Sequence, residues 1–141
     1  MINLFEIKRN ENYLSIIILI IRIAIATLMI SHGLSKLNML IAGGQIDFPD
    51  PLGVGKTASL SLAVFAEVIC SFFIFIGLAT RLATLPLIIT MLVAVFVIHG
   101  ADPIDVKEMG ILYLLFYVLL LVTGSGKFSV DYLISKKNRR Y

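Results

Sequence analysis

Residues 58–81 read ASLSLAVFAEVICSFFIFIGLATR, an apolar run holding a single acid, Glu67, and closing on Thr80-Arg81. An α-helix needs about 20 apolar residues to cross a bilayer core, and this run supplies them. The next apolar run, 82–99, starts directly after Arg81, so the two can only return on each other as an antiparallel hairpin. Comparable runs at 13–36 and 107–124 flank the hairpin. The pattern predicts an all-α fold, an integral membrane antiparallel four-helix bundle over residues 13–135. A polar segment, 1–12, precedes it and a basic tail, 136–141, follows.

Composition agrees: 59% of the 141 residues are hydrophobic, more than an ordinary soluble domain carries. Lys8 and Arg9 ahead of the first run, with Ala24-Ile25-Ala26 inside it, imitate a secretory leader. The run is too long for a leader's apolar core, roughly 7–15 residues, and it contains Arg22, so it is read as a true span. Cys70 is the only cysteine, which excludes an intrachain disulfide or dithiol relay and suits a small packing residue. Any electrons handled here would be carried by a ligand or partner.

The net charge of +3 is unevenly placed. Four spans put Lys8, Arg9, Arg81, Lys127, Lys136, Lys137, Arg139 and Arg140 on one side, and only Lys36, Lys56 and Lys107 on the other. That asymmetry predicts cytoplasmic termini in a bacterial inner membrane, and reads the basic tail as a topology signal that touches anionic lipid, with no role in nucleic-acid binding. The long connection at 38–57 holds Gly43-Gly44, Pro49, Pro51, Gly53 and Gly55, too much punctuation for regular structure. It reads as a lid or docking surface, or as a plain connector. Gly124-Ser125-Gly126 ends the fourth span.

Arg22 and Glu67 are charges inside spans, which marks them as functional candidates. Counting from the ends of their runs places them at similar depths, so the expectation is that they turn inward and pair. Arg22, Ala26, Met29, Gly33 and Lys36 share one stripe of the first helix, and Leu60, Ala63, Glu67, Ser71 and Ile74 one stripe of the second. The pair could be a polar pocket, with Glu67 exchanging a proton and Arg22 anchoring a ligand carbonyl, or an ion pair that only fixes helix register. His32, Lys36, His99 and Glu108 form an outer layer above it, and Tyr113 and Tyr117, one turn apart, offer a further polar face. The histidines lack metal-ligand spacing, so no metal is assigned. Gly55-Lys56-Thr57 has Asp50 where a phosphate loop needs glycine, and Phe128 follows Gly126-Lys127 where Ser or Thr is required. No catalytic residue is assigned.

Several strings, in this order, resemble the DoxX family of small four-helix membrane proteins. They are Gly33-Leu34-Ser35-Lys36-Leu37, Phe65-Ala66-Glu67, Ile76-Gly77-Leu78-Ala79-Thr80-Arg81-Leu82-Ala83 and Met91-Leu92-Val93-Ala94. Lys107-Glu108-Met109-Gly110-Ile111-Leu112-Tyr113 and Thr123-Gly124-Ser125-Gly126-Lys127-Phe128-Ser129-Val130-Asp131 complete the set. The likeness covers about 20–135 and departs at Ser125, where relatives often have proline. It implies polar family positions at Arg22, Lys36, Glu67, Arg81, Glu108 and Asp131, and a bundle in the bacterial cytoplasmic membrane. Some relatives are described as a membrane subunit of a thiosulfate:quinone oxidoreductase, others as scaffolds or assembly factors. The expectation is an accessory subunit of a redox system that binds a quinone or another lipid-soluble molecule near Arg22 and Glu67. The alternative is a non-enzymatic scaffold in which the Arg–Glu pair is structural. Lipid is the expected surrounding, with a protein partner or a second copy beside it.

Overall fold

A computed structural model describes residues 10–138. Four helices are long and apolar enough to cross a membrane: α1 (Glu11–Ala42), α2 (Lys56–Ile76), α3 (Thr80–Ile98) and α4 (Ile104–Thr123). A shorter helix, α5 (Val130–Asn138), follows them, and no strand occurs among the described residues. The four-helix, all-α expectation holds. Lys8, Arg9, Arg139 and Arg140 lie outside the described residues, as does most of the expected 1–12 segment.

Helix bounds differ from the sequence reading where no residue forces a stop. Nothing breaks the helix at Lys36, and α1 continues to Ala42, where Gly43 ends it. Asn10 caps its start, accepting from Asn12 N–H at 3.0 Å. At the hairpin α2 stops three residues short of the expected end at Ala79, because Gly77 takes a left-handed conformation (φ 73°) and its N–H closes the helix by donating to the Phe73 and Ile74 carbonyls. After Gly124 the chain does not simply leave the bundle. It folds back through 125–129 and starts α5, whose Tyr132 N–H is held by Ser129 Oγ at 3.2 Å.

The faces that meet are the two sequence stripes. Ala26, Met29, Leu60, Ala66, Ile74, Leu87, Tyr117 and Leu120 are buried, while Leu62, Phe65, Phe72, Ile89, Phe96 and Leu115 point outward. An apolar exterior around a small core is what lipid in place of water requires. Small residues set the approach of α1 to α2. A methyl group on Gly33 would lie 2.7 Å from Val68 Cγ2 and 2.9 Å from Glu67 Cβ, so only hydrogen fits there.

Both hairpin helices loosen for one turn. Phe65–Cys70 in α2 and Val93–Ile98 in α3 wind as π-helix, the wider i→i+5 form. The first turn contains Glu67. Pro86 lies inside α3, in its second turn, and Thr90 Oγ1 donates to the Pro86 carbonyl at 2.8 Å.

Candidate functional site

Arg22 and Glu67 do not pair. Gly33 sits against Glu67, and along a helix its eleven-residue distance from Arg22 amounts to about 16 Å. The depth count failed because it assumed helices with matching ends. Gly77, just past the end of α2, lies against the Arg22 guanidinium, so the first turns of α1 run on past α2.

Arg22 instead clamps the returning chain. Its Nη1 donates to the Ser125 carbonyl at 2.6 Å and its Nη2 to the Phe128 carbonyl at 2.9 Å, with the side chain 2% exposed. Around it, Asp131 accepts from the N–H groups of Ala79 at 2.6 Å and Thr80 at 3.0 Å, capping α3. Asp131 N–H donates to Gly77 O at 2.9 Å. Arg81 Nη2 donates to Val122 O at 3.2 Å. Three of the polar positions that the family resemblance picked out therefore bind backbone at one end of the bundle. The chemistry is structural: a guanidinium and a carboxylate satisfy carbonyls and amides that would otherwise be orphaned.

Glu67 has a different cation. Lys36 Nζ donates to Glu67 Oε1 in a close ion pair. Glu67 is 1% exposed, and Oε2 has no partner among the described residues. Lys36 also lies 5.7 Å from the centroid of the Phe48 ring, which ties the pair to the loop 43–55. That loop is anchored. Asp50 accepts from Ser59 Oγ (2.7 Å), Gly55 N–H (2.8 Å) and Val54 N–H (3.0 Å), and these bonds, Ser59's foremost, hold its carboxyl below the usual carboxylate range.

Two cavities share this ion pair. One is an apolar groove of about 420 Å³ between α2 and α3, roofed by Phe48, Pro51 and Leu52 from the loop and reaching the exposed side chains of Leu62, Phe65 and Ile89. Both π-helical turns border it. The other is a more polar vestibule of about 430 Å³ between α1, α3 and α4, with His32, His99, Lys107 and Tyr113 in its wall. Lys36, Glu67, Met91 and Ala94 line both. The pair therefore stands where a lipid-side groove and a polar vestibule meet.

The outer layer read from sequence is largely assembled there. His32 packs edge-on to Tyr113 (6.1 Å between centroids), and Tyr113 stacks on the fully buried Tyr117 at 6.2 Å. His99 Nδ1 lies 2.7 Å from Asp102 Oδ2, and Lys107 Nζ donates to Gly100 O at 2.7 Å. Glu108 is exposed and lines neither cavity. Cys70 is buried in the core. Sequence reasoning placed Lys36 in the outer layer and missed it as Glu67's partner. The signal was present, since Lys36 closes the stripe that runs through Gly33.

The DoxX family profile matches residues 17–100. A protein of Haemophilus influenzae described as uncharacterized is 31% identical over 126 residues, covering 84% of this chain and 83% of its own length. A second from the same organism, described in the same way, is 28% identical over 137 residues, covering 90% of this chain and 97% of its own. No solved structure matches this chain. A profile match across more than half its length, together with four apolar spans, makes the chain a member of the DoxX family.

Proposed function

We propose that this protein is an accessory subunit of a membrane-associated redox system and holds a quinone or a similar lipid-soluble molecule in the groove between α2 and α3. One observation carries the reading: an apolar groove that opens toward lipid ends on a buried Lys–Glu pair, and that pair also borders a polar vestibule. A quinone needs apolar walls, a donor for its carbonyl oxygen and a group that exchanges protons. The groove, the Lys36 ammonium and the Glu67 carboxyl fit those needs. In this reading Lys36 orients the ligand carbonyl and Glu67 passes protons to the vestibule, whose wall holds His32, His99 and Tyr113. The ligand supplies the redox chemistry, and a partner protein supplies the electrons. Arg22, first considered as the carbonyl anchor, has no part in it. The termini face the cytoplasm of a bacterial inner membrane, by the excess of Lys and Arg on their side.

Analysis of lipids co-purified with the protein, with thermal unfolding in the presence of added short-chain quinones, tests this. The expected result is a bound quinone and a raised unfolding midpoint that Glu67→Gln and Lys36→Met each abolish. No co-purified quinone and no shift would remove the reading.

The second reading is a scaffold without a ligand, and the Arg22–Asp131 end favours it, since the Arg22 and Asp131 side chains there bind main-chain groups. Under it, Lys36→Met with Glu67→Leu restores both stability and cellular function. Under the first, stability returns and function does not.

A further inference from the structure

Behind the Lys36–Glu67 pair the bundle holds three buried polar atoms without a partner among the described residues: Glu67 Oε2, Ser71 Oγ and the Tyr117 hydroxyl. Their residues are 1%, 0% and 0% exposed. Buried polar groups in folded proteins are almost always hydrogen-bonded, and each exception asks for an explanation. Three that adjoin one another ask for a common one.

They do adjoin. Ser71 follows Glu67 by four residues on the inward stripe of α2, and Tyr117 on α4 faces both, with its hydroxyl toward Ser71 and in electrostatic reach of the Glu67 carboxylate. The Tyr117 hydroxyl lies within reach of Ser71, yet neither hydroxyl has a partner in good hydrogen-bond geometry among the described residues. Their chemistry is complementary. Glu67 Oε2 only accepts when ionised, while each hydroxyl can donate one bond and accept others. A molecule that both donates and accepts, and is small enough for a core this tight, satisfies all three.

We infer that Glu67, Ser71 and Tyr117 form an internal hydration site that binds one water molecule between α2 and α4. The water donates to Glu67 Oε2 and to one hydroxyl and accepts from the other, within the two to four partners a buried water takes. Lys36 holds one carboxylate oxygen and the water holds the other, so both oxygens of Glu67 are engaged inside the bundle. Ser71 and Tyr117 are positioning residues for that carboxylate. The site does not depend on which ligand, if any, occupies the groove.

Solid-state NMR of the full chain in deuterated lipid, with ¹³C-labelled tyrosine and glutamate, reads the site by magnetisation transfer from water. The expected result is transfer to Tyr117 Cζ at a rate comparable to that of Tyr113 in the vestibule wall, with loss of the early build-up at Glu67 Cδ in Ser71→Ala/Tyr117→Phe. Absence of transfer to Tyr117 in the unmodified protein would overturn the proposal. Thermal unfolding adds a sign. Removing an orphaned hydroxyl raises the midpoint, and removing one that holds a shared water lowers it. Tyr117→Phe and Ser71→Ala are each expected to lower it, and the double variant to fall no further than the worse single. A raised midpoint in either single variant, or fully additive losses in the double, counts against the site.

Discussion

Replacing Arg22 by methionine should unfold the end of the bundle that carries α5 and leave the Lys36–Glu67 region intact. The substitution keeps an apolar stem of similar length and deletes the two donors that hold the Ser125 and Phe128 carbonyls at 2.6 and 2.9 Å. Hydrogen bonds from a charged donor contribute about 1.5–3 kcal/mol each, so their loss costs roughly 3–6 kcal/mol before any compensation. Part of it returns, because a guanidinium buried with its Nε unpartnered carries a desolvation penalty that methionine lacks. A net loss of about 2–4 kcal/mol is expected, readable as a shifted midpoint in mixed-micelle unfolding. Arg22→Lys should recover less than half, since one ammonium cannot span both carbonyls as a planar fork does. The decisive measurement is a double-mutant cycle with Glu67→Gln. Sites about 16 Å apart along the bundle with no shared partner should add to within about 0.5 kcal/mol. A coupling energy above about 1 kcal/mol would show that guanidinium and carboxylate do interact, and would refute the two-site account.

Gly33→Ala should weaken the Lys36–Glu67 contact, because a methyl group there meets Val68 Cγ2 at 2.7 Å; a cost of about 1–3 kcal/mol is expected, with faster exchange of the Glu67 amide. Asp131→Ala removes the cap on Ala79 and Thr80 and should cost about 0.5–2 kcal/mol, with α5 losing amide protection before any of the four spans. The Asp50 carboxyl is held below its ordinary value, first by Ser59 and then by Gly55. A depressed carboxylate contributes its full stabilisation above the unfolded-state value, near 4, and loses it as pH falls through the lower folded value. Amide shifts of Val54 and Gly55 should therefore titrate together below pH ~4, and Asp50→Asn should abolish that transition. Titration of those amides near neutral pH would contradict the assignment.

The spans and their inward faces were legible because lipid imposes a simple rule, that apolar length makes a helix and small or polar residues mark its buried side. Glu67, Ser71, Tyr113 and Tyr117 could be placed on that rule alone. Arg22 could not, since its partners are main-chain carbonyls of residues 125–128 and carry no side-chain signature. A rule of equal helix ends also misplaced it, because α1 overruns α2 and continues six residues past Lys36. The two π-helical turns that shape the groove have no sequence mark of their own. The α5 helix was announced by Ser129, a cap residue followed by a polar and apolar mixture, and was overlooked because the fourth span had ended.

The Arg22 clamp also sets an order of events during synthesis. Arg22 emerges from the ribosome in the first span, while the carbonyls that receive it belong to residues 125–128, made after the fourth. Throughout insertion of the intervening helices the guanidinium must stay near the interface or borrow water and lipid headgroups for its donors. The turn that releases it is made only after the fourth span, so a truncated product lacking residues 125–131 would retain an unsatisfied charge in its first helix. A cell that inspects nascent membrane proteins for such charges has, in this chain, a direct readout of whether the fourth span and the turn after it have been made.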